Sequence, residues 1–307
     1  MTTVKVTGEH NRWWNENPVE AVVGDGDTLA FDATEASGGQ FDLYRNGDPI
    51  PPLDPDRIYP LLGPVVVAGA EVGDVIELEV LDYRLGASGW TAVLAGKGLL
   101  PEDFPDPHLH HWKLVNGFAD FLGAASIPLR PFLGVMGTSP VAPEPTHPGP
   151  PGAFGGNVDC RDLIAGTRLF LPVQMPGARL MLGDPHAAQG DGEVCTSAIE
   201  ASLSGELRVR VHRGRSLTAP QFQTAGPLRA GIEDQGYYAT MGVGPDLHRA
   251  AQDAVRSMID HLGVEYGIDP IDAYVLSSVA VDLKISEIVD APNWVVTAYL
   301  PLAIMHG

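Results

Sequence analysis

Residues 183–193, GDPHAAQGDGE, place Asp184, His186, Gln189, Asp191 and Glu193 within eleven positions. Zinc accepts imidazole nitrogen together with carboxylate oxygen, and harder ions such as calcium take carboxylates. Glycines 183, 190 and 192 let the backbone bend so that these groups converge. A carboxylate left off the metal can act as general base on a water. The same composition also makes a polar turn whose Asp residues cap backbone N–H groups. The spacing matches neither HExxH nor an EF-hand loop, so taken alone the segment leaves both readings open.

A second polar segment is GGNVDCRD at 155–162. Asn157 and Asp159 share parity, so on a strand both point to one face. Asn offers a donor and an acceptor to an amide, and Asp can ligate metal; read alone, the segment favours an Asx-turn. HNRWWNENP at 10–18 and DATEASGGQ at 32–40 supply His10, Trp13, Trp14 and Glu35. The two indoles suit a pocket wall or, more ordinarily, a core. PHLHHW at 107–112 invites a metal reading through His108, His110 and His111, and an exposed polar loop accounts for it better. No GxSxG elbow and no GxGxxG after a strand is present, so neither a serine α/β-hydrolase nor a dinucleotide site is supported. Cys160 and Cys195 are expected as buried thiols rather than a disulfide or a zinc site.

The elements that must position these groups are mostly strands. VIELEV at 75–80 alternates Ile76, Leu78 and Val80 with Glu77 and Glu79, which predicts a strand with one buried and one wet face. GELRVRVHR at 205–213 alternates likewise and, with 193–203 before it, reads as a hairpin turning at Ser204–Gly205. DLHRAAQDAVRSMIDHL at 246–262 predicts an amphipathic helix with Asp246 as N-cap, Gly263 at C′, and a buried Leu247/Ala251/Val255/Ile259 side. A shorter helix is expected from Pro270, and strands near 281–288 and 294–302. PVAPEPTHPGPPGAFGG at 140–156 is too rich in Pro and Gly for a helix or central strand. It is either an interdomain linker or an ordered loop beside a site.

The chain has 307 residues, 44% of them hydrophobic, with 36 Gly and 27 Pro, which fits many turns and short strands around a real core. The reading is a β-rich α+β class: an N-terminal β-sandwich, jelly-roll-like, over 1–145, and a barrel-like α+β part carrying the long helix over 146–307. A net charge of −20 argues against a nucleic-acid partner. No apolar run is long enough to span a bilayer. The start, MTTVKVTGEH, lacks a signal-peptide pattern, so a cytoplasmic location is expected.

Several blocks together resemble the acetamidase/formamidase family. In order they are HNRWWNENP at 10–18, ASGGQ at 36–40, GPVVVAGAEVGDVIELEV at 63–80 and RPFLGVMGTSP at 130–140. GGNVDCRDLIAGTRLFLPVQMPGARLMLGDPHAAQGDGE at 155–193 and DLKISEIVDAPNWVVTAYLP at 282–301 complete the series. Phe154 stands where members of that family often carry His before Gly–Gly–Asn. The resemblance implies hydrolysis of formamide, acetamide or similar amides to acid and ammonia by a homodimer or higher homo-oligomer. It implies a divalent metal, zinc or calcium, and no organic cofactor. By position, Asp159, Asp184 and His186 take metal or orienting roles. Glu193 is the general base, with Asp191 and Glu35 as further catalytic candidates and Asn157 and Gln189 toward substrate. Two other readings compete: a metal-dependent hydrolase of a carbamate or cyclic amide, and a non-catalytic β-sandwich module with structural calcium.

Overall fold

The structure, a computed structural model, describes residues 1–42, 44–45, 48–50, 52–97, 105–121, 125–142, 144–189, 193, 196–226, 235–268, 281–302 and 305. Two large sheets dominate it. The first has nine strands in the spatial order Thr3–Val6, Thr28–Ala33, Leu203–His212, Val75–Leu85, Arg168–Pro172, Gln221–Gln223, Tyr237–Gly244, Trp294–Pro301, Asp282–Glu287. The second has eleven strands. Its main path runs Ala125–Pro128, Phe118–Phe121, His108–Val115, Ser88–Val93, Ile199–Glu200, Leu180–Ala188, Phe132–Gly137, Gly155–Asn157. Leu61–Val67 joins it beside Leu180–Ala188.

One apolar core lies between the sheets. Leu29, Phe31, Ile76, Leu78, Leu207 and Val209 of the first pack with Val65, Phe132, Leu133, Met136, Leu180 and Leu182 of the second. Alternation along Tyr237–Gly244 explains how one strand serves two layers. Tyr237, Ala239 and Met241 enter this core, whereas Tyr238 joins Ala254, Met258 and Leu262 of the helix in a second cluster. Strands from either side of residue 145 pair in both sheets, as Arg168–Pro172 does with Val75–Leu85 and Leu180–Ala188 with Leu61–Val67.

The β-rich α+β class stands, with one long helix among the described residues. The barrel-like closure does not: among the described residues both sheets are open, and Thr3–Val6 and Asp282–Glu287 are the free edges of the first. The helix runs Leu247–Tyr266, longer than the pattern suggests, from the Asp246 N-cap to Gly267 in the left-handed conformation. It buries Ala250, Ala254, Ser257, Met258 and Leu262 and leaves Ala251, Val255 and Ile259 half-buried at the flank. The cause lies in the sheet. A Cβ on Gly242 would stand 1.9 Å from the Ala250 carbonyl oxygen, so helix and strand approach most closely along Ala250 and Ala254.

The expected hairpin at Ser204–Gly205 is not formed. Leu203–His212 is one continuous strand, and Ile199–Glu200 belongs to the other sheet. Gly205 is a packing glycine, since a Cβ there would meet the Asp82 carbonyl at 2.6 Å and the Phe31 ring at 2.8 Å. The strand at Val75–Leu85 has no wet face over its first four residues, because buried Glu77 takes a 2.6 Å hydrogen bond from His212 Nε2. In PHLHHW every residue after Pro107 is strand rather than loop, within His108–Val115. The expected helix from Pro270 lies outside the described residues. Strands near 281–288 and 294–302 occur as Asp282–Glu287 and Trp294–Pro301. Among the described residues no helix is long and apolar enough to cross a membrane.

Candidate active site

The site is built around a change of partner along one strand. Leu180–Ala188 pairs on one edge with Phe132–Gly137, from Met181↔Gly137 to His186↔Phe132. On its other edge it pairs with Leu61–Val67 as far as Gly183↔Leu61, and then with Ile199–Glu200 at His186↔Glu200. Asp184 sits at this junction with φ +53°. Asp159 and Glu193 are also left-handed, at φ +42° and +45°. Such conformations cost of order 1 kcal/mol each for non-glycine residues and gather at functional sites.

Gly134 makes the room for two of these carboxylates. A Cβ at that position would lie 2.3 Å from Asp159 Oδ1 and 2.8 Å from Asp184 Oδ2. Facing them, the His186 ring is fully buried and rests edge-on against Phe132, with centroids 5.0 Å apart. Its Nε2 is 3.2 Å from Glu200 Oε2, 3.4 Å from Asp184 Oδ1 and 4.0 Å from Glu193 Oε1. Its Nδ1 is 2.9 Å from Gln189 Oε1 and 3.9 Å from Asp159 Oδ1. Gln189 in turn donates to the Asp159 carbonyl at 2.8 Å. Asn157 Nδ2 bridges Asp159 Oδ2 at 2.7 Å and Asp290 Oδ2 at 2.5 Å.

Crowding of like charges in a dry pocket sets the protonation of this cluster. Burial, followed by the charges of Glu193 and Asp184, raises the Asp159 carboxyl well above its ordinary range. Burial also raises Glu193 well above its range and brings Glu200 to about 7, in each case against the opposing pull of His186. Asp290 rises to about 6 through burial and the charge of Asp184. Burial disfavours the imidazolium of His186, yet Glu200 and Asp184 together outweigh it and hold the ring well above its usual value.

These groups fit a divalent cation. Two donors on one ion, each at roughly 2.0–2.6 Å, lie no more than about 5 Å apart. Asp184, His186 and Glu200 present donor atoms within 4.8 Å of one another, and so do Asp159, His186 and Glu193. Asp159 Oδ1, His186 Nε2 and Glu200 Oε2 are buried without a hydrogen-bond partner, an expensive condition unless something else satisfies them. Among the described residues no Lys or Arg pairs with any of these carboxylates. Because Gln189 engages Nδ1, Nε2 is the nitrogen open to an ion, and it faces Asp184 and Glu200.

The structure thus brings together Asp159, Asp184, His186, Glu193, Asn157 and Gln189, all read from the sequence. Gln189 contacts His186 and the Asp159 backbone. Glu193 is buried. Glu35 shares a cavity lining with Glu200, and its oxygens accept from Ser37 N, Ser37 Oγ, Gly39 N and Trp90 Nε1, all at 2.6–2.7 Å. That arrangement fixes the ASGGQ turn. Asp191 and Cys195 lie outside the described residues. Cys160 is a buried thiol 3.7 Å from the Tyr299 hydroxyl. Phe154, at the position where His was expected, packs edge-on against Trp13 at 5.2 Å. Sequence reading missed Glu200 and Asp290. Glu200 could be found only through its register with His186, and Asp290 lies in the quoted closing block without a local signal.

Fold and cluster together define a two-sheet β protein with a buried histidine–carboxylate centre able to hold a metal ion. The chain belongs to the acetamidase/formamidase family, whose model matches residues 2–147 and 141–306. It is 26% identical to a formamidase of Methylophilus methylotrophus over 97% of this chain and 89% of that protein. It is 26% identical to an acetamidase of Mycolicibacterium smegmatis over 67% of this chain and 66% of that protein. The crystal structure of an acetamidase from Bacillus halodurans superposes with a TM-score of 0.88 at 30% identity, covering 98% of this chain and 97% of that one.

Proposed function

We propose that this protein hydrolyses the carbon–nitrogen bond of small aliphatic amides, of the formamide and acetamide type, to carboxylic acid and ammonia. The observation that carries the reading is the convergence of Asp184, Glu193 and Glu200 on His186 Nε2 in a buried pocket, within a chain of this family. Amide resonance leaves the carbonyl weakly electrophilic and the amine a poor leaving group. The site must therefore polarise the oxygen, activate water and protonate nitrogen.

Asp184, His186 Nε2 and Glu200 would hold a divalent ion, which supplies Lewis acidity toward the amide oxygen when bound. An imidazole among the donors favours zinc over calcium. Gln189 fixes the tautomer and orientation of His186, as second-layer partners of ligating histidines do. Glu193 takes the proton of the attacking water and returns it to the departing nitrogen; its raised affinity for protons suits both halves of that exchange. Asn157 orients Asp159 through one amide proton and Asp290 through the other. A cytoplasmic homo-oligomer completes the reading and rests on the family resemblance.

Ammonia release from formamide, acetamide, propionamide and carbamates, before and after chelation and with zinc added back, tests this. Turnover of the simple amides that chelation removes and zinc restores is expected. Turnover confined to carbamates, or none, would overturn the substrate assignment, and full activity after verified metal removal would overturn the metal assignment.

A further inference from the structure

The carboxylates and His186 supply acceptors in abundance, but an amide also presents a carbonyl oxygen that needs a donor. Tyr59 is placed to provide one. It lies two residues before Leu61, which registers with Gly183 immediately ahead of Asp184. The strand therefore delivers Tyr59 beside the junction that creates the site. Its backbone is left-handed at φ +52°, an outlier for so bulky a residue, and is pinned there by donation from its N–H to the Ala36 carbonyl at 2.8 Å.

The ring is held as well. Tyr59 meets His147 edge-on, with centroids 5.8 Å apart and an interplanar angle of 78°. His147 Nδ1 accepts from the Gly149 N–H at 3.0 Å, and burial pushes the imidazole toward its neutral form. The Pro/Gly-rich loop that carries His147 is tied at three places. Thr146 and Trp13 exchange backbone hydrogen bonds of 2.8 and 2.9 Å. Asn15 donates to the Ala142 carbonyl at 3.2 Å and Asn293 to the Pro151 carbonyl at 3.0 Å. This loop is thus an ordered wall beside the site, the second of the two readings its composition allowed.

Tyr59 as a whole is only half-buried. Burial, followed by the charges of Asp290, Asp184, Asp159 and Glu193, raises its phenol well above the ordinary range and keeps it protonated. The hydroxyl makes no hydrogen bond to another described residue. A protonated O–H that is free to donate, beside a group of acceptors, complements an amide: the carboxylates suit the NH₂ donors and the phenol suits the carbonyl oxygen.

We propose that Tyr59 is a substrate-binding residue, its hydroxyl donating to the carbonyl oxygen of the bound amide while His147 holds its ring in place. The assignment rests on the amidase reading above.

Tyr59→Phe keeps the ring and removes the donor. With formamide and acetamide it should lower kcat/KM by about 10²-fold, the scale for losing one donor to a developing oxyanion. Melting temperature and metal content should match the parent enzyme. A kcat/KM within twofold of the parent would overturn the proposal. Should the parent enzyme turn over no amide, the amidase reading itself falls, and Tyr59 is then judged by acetamide binding followed by NMR titration. Binding about tenfold weaker in Tyr59→Phe supports the contact; equal binding, or none to either protein, overturns it. Crystals soaked in acetamide give a reading independent of the variant. A carbonyl oxygen at hydrogen-bonding distance from Tyr59 Oη is expected, and an amide bound with its oxygen turned away would overturn the proposal.

Discussion

His186 and Glu200 face one another as a cross-strand pair, with Nε2 and Oε2 3.2 Å apart. Fourteen positions separate them in the chain, yet the sheet makes them neighbours. The pairing supplies the site with a carboxylate on the side of the ring that Gln189 leaves open.

Replacing Glu200 with Gln keeps the volume and removes the charge. Changes to partners one layer out typically weaken metal binding about 10–100-fold, and loss of a ligand should cost at least as much. Zinc affinity measured by competition with a chelator checks this. Unchanged affinity would move the ion to the other face of His186, toward Asp159 and Glu193.

Glu193→Gln should lower kcat by about 10²-fold or more, the usual scale for a general base, without lowering the melting temperature. A carboxylate already driven toward its protonated form by burial contributes little to stability through its charge. Turnover per folded molecule and melting temperature should be measured on one preparation. A fall in melting temperature at constant turnover would make Glu193 a structural carboxylate.

Gly134→Ala tests the cradle. The Gly134 backbone is not left-handed, so a methyl group there acts through its 2.3 and 2.8 Å approaches to the Asp159 and Asp184 carboxylates. Overpacking of this kind costs about 1–3 kcal/mol. Displacement of the two carboxylates should abolish turnover and weaken zinc binding while the far-ultraviolet spectrum stays native. Normal activity in the variant would show that the two carboxylates can be repositioned without consequence.

His261 should govern part of the acid stability. Its ring stacks on Tyr238, with centroids 3.4 Å apart and planes at 4°. Burial, then the charge of Arg215, pushes it down to about 4. The unfolded residue titrates near ~6.5. Between these values the unfolded chain binds a proton that the native protein refuses, so stability falls as pH drops from about 6.5 to about 4. His261→Gln should flatten the melting-temperature profile over that window. Parallel profiles for the two proteins would show that His261 contributes nothing there.

Much of the site was legible because its ligand types cluster in sequence. Asp184, His186, Gln189 and Glu193 fall within ten residues, and Asn157 and Asp159 stand two positions apart at the end of the strand Gly155–Asn157. Glu200 was not legible because its importance comes from register, which a strand shows only once its partner is known. Glu35, a buried carboxylate beside Gly–Gly, reads as a site residue in the sequence; its hydrogen bonds from Ser37, Gly39 and Trp90 become visible only in the fold. In the fold, period-two alternation located the strands well. It failed at Ser204–Gly205, where a turn-like pair sits within a continuous strand because close contact with Phe31 and Asp82 requires glycine. The helix existed where its period placed it, and its buried face followed Gly242, a residue on a different element.

The change of partner at Asp184 also orders events in time. Its two neighbouring strands come from residues 61–67 and 199–200, so the junction does not exist until both have docked on Leu180–Ala188. The pairing with residues 61–67 spans more than 100 positions, and contacts so distant along the chain close slowly. Catalytic competence should therefore be among the last properties recovered on refolding, arriving after the bulk of the secondary structure. Regain of turnover would then serve as a clock for completion of the native state.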